Sequence, residues 1–414
     1  MSRKSTGLVG LGSLVAALAL VAAGCGGGDS GTTLKIVSDL PLQGSNLVQT
    51  SQMVDAIEYV LEQADNKAGD YTIEFESFDD AIASTGNWDE ATCASNARSY
   101  ADDDNIVGVI GTYNSGCAAV EIPILNEAGL AMISPANTYP GLTVSGPGTE
   151  QGEPDKYYPT GSRNYTRVVA HDLFQGGADA NFMKNELGCT NVFILDDKEL
   201  YGKGVADAFE GSANEIGLGI AGHEGWDKDS PNYTALMTKI KAAGTDCIFI
   251  GGVLPNNGGQ LIKDKVAVLG DNEAVKLMVS DGFVLDSIFD DAGADNANGI
   301  YGSAPTLPAS EITGAGADFL EGFQESIGAD KDIQVYTLYA ATAAQVLLDA
   351  IARSDGTRAD IIAKMFETDL SDVATGQMSF DENGDPAAGT EQLFLADASQ
   401  GTFVWQQQLE SAIQ

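Results

Sequence analysis

Apolar residues recur along this chain with two periods. Short runs rich in Val, Ile and Phe, among them residues 34–37, 106–110, 192–195 and 247–250, alternate with longer stretches whose apolar positions return every three or four residues. Met53, Ile57, Val60 and Leu61 mark the first such stretch as a helix over residues 52–63. The pattern next predicts strands at 71–75, 106–110 and 130–133, with helices at 89–101 and 118–127. Successive β and α units of this kind assemble into a parallel sheet covered by helices.

The regularity lapses over residues 141–162 (GLTVSGPGTEQGEPDKYYPTGS), where Gly, Pro and polar residues predict a surface loop near a domain crossing. It resumes with helices at 175–187, 204–216, 233–243 and 259–268. Strands alternate with them at 192–195, 219–223, 247–250 and 276–279. The expected fold class is therefore α/β, with two doubly wound parallel-sheet lobes around a ligand cleft. Ligands in such sheets collect beyond the carboxyl ends of the strands, so the loops there are the place to look for chemistry.

The start of the chain obeys a different rule. Arg3 and Lys4 precede an uncharged stretch, residues 7–24 (GLVGLGSLVAALALVAAG), too short and Gly-rich for a membrane span and matched to a secretory signal. Ala22-Ala23-Gly24-Cys25 resembles a lipobox, in which the Cys25 thiol is acylated and residues 1–24 are removed. Residues 25–32, with Gly26, Gly27 and Gly28, read as a flexible tether. A plain secretory signal with an incidental cysteine is the alternative.

Length and charge narrow the function. A chain of 414 residues exceeds what one core accommodates, so two packed units are expected. Lys and Arg number 21 against 60 Asp and Glu, a net charge of −39; removing residues 1–24 takes away Arg3 and Lys4 and no acid, which gives −41. Phosphate repels such a surface, and nucleic acid is excluded as a partner. With 43% hydrophobic residues and dispersed charges, the chain is not disordered either.

Four cysteines follow Cys25, an even number in a secreted protein. The pairs expected are Cys93–Cys117 and Cys189–Cys247. Cys189 and Cys247 each introduce a β-type run, and adjacent parallel strands bring such positions to one sheet edge. Four buried free thiols are the alternative.

Several strand-tip loops carry candidate chemistry. Residues 111–116 lead from a strand into a helix near Ala118, where free N–H groups and the positive end of the helix dipole favour a carboxylate, and Ser115 adds a hydroxyl. Asn114 or Ser115 acting only as a helix cap is the plainer reading. The next loop offers Ala136, Asn137 and Thr138, or else an ordinary turn. In the second half Tyr201 stands in a loop ahead of a helix, placed to cover a ligand. Asp281 stands at a strand tip, where it pairs with an ammonium unless it is solvated or capping. A helix N-terminus facing a carboxylate complements a zwitterion, of which an α-amino acid is the simplest.

Other motifs lead nowhere. Gly217-Leu218-Gly219-Ile220-Ala221-Gly222 fits G-x-G-x-x-G but follows a helix and enters a strand, the reverse of a dinucleotide site. Asp381-Glu382-Asn383-Gly384-Asp385 starts like a calcium loop, yet Pro386 stands where Gly is needed, and an Asn-Gly hairpin turn is expected instead. His171 and His223 lack metal-ligand spacing. No metal, cofactor or enzymatic activity is expected.

Four stretches together carry a family likeness: residues 106–143 (IVGVIGTYNSGCAAVEIPILNEAGLAMISPANTYPGLT), 164–177 (NYTRVVAHDLFQGG), 192–209 (VFILDDKELYGKGVADAF) and 372–385 (DVATGQMSFDENGD). They resemble the branched-chain amino acid (Leu/Ile/Val) binding lipoproteins of ABC importers, which have the type I periplasmic-binding-protein or Venus-flytrap fold. The resemblance implies that Ser115, Ala136 and Thr138 hold a ligand carboxylate while Tyr201 and Asp281 meet its ammonium. It implies three crossings, near Thr166, Ser303 and Gln377, with lobe I over 33–166 and 303–377 and lobe II over 167–302 and 378–414. Val253 departs from an aromatic common in the family, as do Leu47, Val48 and Gln49 in the first loop. The function implied is an extracytoplasmic, lipid-anchored, monomeric binder of an amino acid, branched-chain in type, that closes on its ligand and delivers it to the transmembrane subunits of an ABC permease. A sensory-receptor subunit shares fold and ligand, although no transmembrane segment follows Gln414. An amide, urea-like or aromatic ligand, and more distantly a secreted hydrolase, complete the alternatives.

Overall fold

A computed structural model describes residues 32–387 and 389–410; the expected signal peptide, Cys25 and the tether up to residue 31 lie outside them. The first part runs β1 (Thr33–Leu40), α1 (Leu47–Gln63), β2 (Lys67–Ala68), β3 (Tyr71–Asp79), β4 (Ala81–Ile82), β5 (Asn87–Trp88), α2 (Glu90–Asp102), β6 (Ile106–Gly111), α3 (Ser115–Glu127), β7 (Ala131–Ser134) and β8 (Tyr165–Arg167). The second continues α4 (Asp172–Asn185), β9 (Asn191–Asp196), α5 (Leu200–Ile216), β10 (Gly219–Gly225), α6 (Thr234–Ala242), β11 (Cys247–Gly251), α7 (Gly258–Leu269), β12 (Lys276–Val279), α8 (Ala294–Ala297) and β13 (Tyr301–Ala304). Last come α9 (Ala315–Ile327), α10 (Thr337–Arg353), α11 (Arg358–Phe366), β14 (Asp369–Val373), β15 (Gly376–Ser379), β16 (Glu391–Asp397) and β17 (Thr402–Leu409).

Two main sheets result. One has the order β2-β3-β1-β6-β7-β8, the other β10-β9-β11-β12-β13-β16-β17. Strands β1, β3, β6, β7 and β8 pair in parallel. Every residue of β6 is buried, as an uninterrupted apolar strand covered on both faces must be. One face packs against α1 and the Ala-rich α10, where Ile57, Leu347 and Ile351 are fully buried. The fold class is the expected α/β. The second sheet adds what the pattern did not show: β16 pairs antiparallel with β13 and with β17, so its edge is a C-terminal hairpin.

The chain leaves the first sheet after β8, returns to it from β13 through α9 and α10, and rejoins the second sheet at β16. A buried ion pair ties the first passage to the third. Arg167 donates Nε to Asp385 Oδ1 at 2.6 Å, and its Nη1 donates to the carbonyls of Asn137 and Tyr139 at 3.0 and 2.8 Å. Thr143 Oγ1 donates to the same carboxylate. Asp385 thus serves the crossing, and the residues before it close a turn in which Asp381 N donates to Asp385 O. Cys93 is bonded to Cys117, fastening α2 to α3, and Cys189 to Cys247, fastening the neighbouring strands β9 and β11.

One local expectation changes. The 141–162 segment is not a plain surface loop, because Tyr139 and Tyr157 both donate their hydroxyls to buried Glu153 at 2.6 Å. Phenols bury apolar area without helical or strand spacing, so periodicity misses them. Gly217, in the discarded glycine motif, ends α5 in the left-handed conformation at φ 70°, where glycine carries no Cβ penalty. Among the described residues no helix is long and apolar enough to cross a membrane.

Candidate ligand-binding site

Strand β6 delivers the loop that opens α3. Thr112 Oγ1 donates to the Asn114 carbonyl at 2.8 Å, Asn114 is extended (φ −88°, ψ 129°), and no side chain caps the helix. The first-turn N–H groups of α3 therefore lack an internal partner, as at any helix start. Ser115 is the first helical residue. Its Oγ accepts from Tyr139 N at 3.3 Å, which leaves the hydroxyl proton for another acceptor. Ala136 follows β7, with its N–H engaged by Ser134 Oγ at 3.1 Å.

The opposite wall comes from the second sheet. Tyr201 lies inside α5, one turn earlier than the expected helix start, because α5 begins at Leu200. Asp281 opens a short 3-10 turn directly after β12. Tyr201 donates its hydroxyl to Asp281 Oδ1, and Tyr336, just ahead of α10, donates to Oδ2. Burial pushes the Asp281 carboxyl above its ordinary value, while these two hydrogen bonds pull it back. The neighbouring Gly282 permits the close fit: a Cβ there would lie 2.4 Å from the Gly252 carbonyl oxygen and 3.2 Å from the Tyr201 ring.

These groups share one narrow gap. It is lined by Asn114, Ser115, Ala136, Tyr201 and Asp281, and also by Tyr113, Val253, Gly282 and Tyr336. Asn137 and Thr138 are not in the lining. Asn137 Nδ2 donates to the carbonyls of Thr112 and Tyr113 at 2.9 and 3.0 Å and so fixes the loop. Thr138 Oγ1 is buried without a partner within the protein. Burial raises the Asp172 carboxyl well above its ordinary value. Tyr336 escaped the sequence reading; its only signal is a tyrosine at the start of a helix that follows a crossing. Neither histidine lines the gap. Burial holds His171 down to about 4, and His223 pairs with Glu210 at 2.6 Å.

The family described as periplasmic binding protein matches residues 33–402. The chain belongs to that family. Among its relatives is the Leu/Ile/Val-binding protein homolog 1 of Brucella abortus (strain 2308), 25% identical over 375 residues that span 90% of this chain and 93% of that one. The solved leucine-binding protein LivK of Thermotoga maritima is similar with a TM-score of 0.76 and 22% identity, over 91% of this chain and 99% of its own. A solute-binding protein of an ABC transporter from Rhodopseudomonas palustris HaA2, in complex with p-hydroxybenzoic acid, gives 0.75 and 18%, over 92% and 97%. The fold is the type I periplasmic-binding-protein fold, and the family is one of solute binders, not enzymes.

Within this periplasmic binding protein, Tyr113 of the gap lining is held by two side chains, of which Gln49 lies outside the lining. Gln49 Nε2 donates to Tyr113 Oη at 2.6 Å, and the Tyr113 ring meets Tyr336 edge to face, centroids 5.8 Å apart.

Proposed function

We propose that this chain is an extracytoplasmic solute-binding lipoprotein of an ABC importer, which takes an α-amino acid between two closing lobes and presents it to a membrane permease. The observation that carries the reading is the facing pair across the gap: the uncapped start of α3 with Ser115 on one side, the Asp281 carboxylate on the other. N–H groups and a hydroxyl suit a carboxylate; a carboxylate with two phenols suits an ammonium. The names of the relatives make leucine, isoleucine and valine the first ligands to test.

Lobe I in this reading comprises residues 33–166 and 303–377, lobe II residues 167–302 and 378–414. Ala136 and Thr138 assist the carboxylate side, Asn114 and Asn137 shape the loops that hold it, and Tyr201 covers the ammonium. Closure is a signal only because the ligand touches both lobes and thereby favours the closed form. Acylation of Cys25 would keep the binder at the membrane beside its permease.

The test is thermal unfolding of residues 26–414 against the twenty amino acids, with calorimetry on each hit. One or more amino acids should raise the midpoint with concentration, and Ser115→Ala and Asp281→Asn should abolish the shift. No shift with any amino acid, together with a shift from an amide or an aromatic acid, would overturn the zwitterion site and leave the importer reading in place. Cys25→Ser should release the protein from the membrane fraction.

A further inference from the structure

We infer that the bound amino acid carries a neutral polar side chain, a hydroxyl or a carboxamide, read by Gln49, Tyr113 and Asn114. This rests on the zwitterion site proposed above and concerns the other end of the ligand.

The first turn of α1 carries an amide inward. Leu47 and Val48 are 42% and 68% exposed, whereas Gln49 beside them is 3% exposed. Gln49 Nε2 donates to Tyr113 Oη, so the Tyr113 proton remains free to donate, and Gln49 Oε1 has no partner within the protein. Asn114 lines the gap with Tyr113, is 9% exposed, and has an equally unpartnered Oδ1. Two buried acceptors and one buried donor therefore lie at or directly behind the gap wall.

An aliphatic side chain entering here would return no hydrogen bond to these groups, which the protein already buries without one. Its only aliphatic partners in the lining are Ala136 and Val253. A hydroxyl or carboxamide both donates and accepts, and so satisfies the set. A site built to bond a polar group rejects the isostere lacking it far more strongly than an apolar pocket rejects a missing methylene. No cationic side chain lines the gap to hold an acidic ligand, and Asp281, its only carboxylate, is taken by the α-ammonium.

Two isosteric pairs test the inference on the full chain purified in detergent: threonine against valine, and asparagine against leucine, each by calorimetry. At least one polar member should bind about tenfold or more tightly than its isostere. Gln49→Leu should cut that ratio by about fivefold or more, chiefly by weakening the polar ligand; Tyr113→Phe is the second variant should the first not fold. Valine and leucine bound as tightly as their isosteres would overturn this inference while the zwitterion site stands. No binding by any of the four would overturn this inference, whereas the zwitterion site falls only if none of the twenty amino acids binds. An unchanged ratio in both variants would remove the assigned roles of Gln49 and Tyr113.

Discussion

Tyr336, at the entry to α10 beside the first sheet, donates its hydroxyl to Oδ2 of Asp281, at the tip of β12 in the second, at 2.5 Å. The bond joins the two sides of the gap through the carboxylate assigned to the ligand ammonium. Tyr201 satisfies Oδ1 from the same side as Asp281, so Tyr336 alone spans the two sheets at this carboxylate. Tyr336→Phe keeps the ring against Tyr113 and deletes the crossing bond. A hydrogen bond to a charged group contributes about 1.5–3 kcal/mol, and the ligand-free protein should lose roughly that in a urea titration. Ligand affinity should fall less than in Asp281→Asn. Unchanged stability would mean that the bond does not hold the two sides together.

Arg167 is fully buried, and among the described residues Asp385 is its only carboxylate partner. Asp385→Asn leaves the guanidinium in place without a compensating charge. Breaking a buried pair from one side costs about 3–5 kcal/mol, and urea unfolding should show a loss of that size. A loss below 1 kcal/mol would show that the carbonyls of Asn137 and Tyr139 suffice for the cation.

A second consequence concerns pH. Asp80 and Glu121 are buried beside the first sheet and held well above their ordinary 3.8 and 4.5, by burial first and then by the charge of Asp39. Both therefore hold a proton to higher pH in the fold than in the unfolded chain. Below about pH 4 the unfolded chain is protonated as well and their contribution is complete; above it only the unfolded chain releases protons, and stability falls by up to about 1.4 kcal/mol per pH unit per group. Asp172, Asp179 and Glu391 shift in the same direction, again chiefly by burial. The unfolding midpoint should therefore be higher at pH 5 than at pH 8, and Glu121→Gln should flatten the slope. A midpoint that rises from pH 5 to pH 8 would contradict this account.

The Cys189–Cys247 bond spans 58 residues. Chain-entropy reasoning assigns a loop of that length about 4 kcal/mol. Replacing both cysteines by serine should lower unfolding free energy by about that amount, measured in guanidinium without reductant. A loss under 1 kcal/mol would show that the pairing of β9 with β11 alone sets the local stability.

Much of the fold was legible because period reflects burial. Residues 106–110 read as a strand and lie in the buried β6, Ile106–Gly111, and the alternation of such runs with helical stretches announced two sheets of mainly parallel strands. Loops at strand tips were legible for the same reason, which is how Ser115 and Asp281 could be named in advance and then found on one gap. Boundaries were less legible. Tyr201 was assigned to a loop because Gly202 and Gly204 weaken the helical signal, yet both glycines lie within α5, where Gly204 lets the Tyr139 ring approach.

Sequence by itself determined the layer architecture and the strand-tip positions, since these follow from local spacing. Tertiary structure alone decided what meets across the gap. Tyr336 reaches Asp281 over 55 residues and Gln49 reaches Tyr113 over 64, and no local pattern links such positions. Their partners are set by how the chain passes between two sheets, a relation in which the hydrophobic period, being the property of a single strand or helix, takes no part.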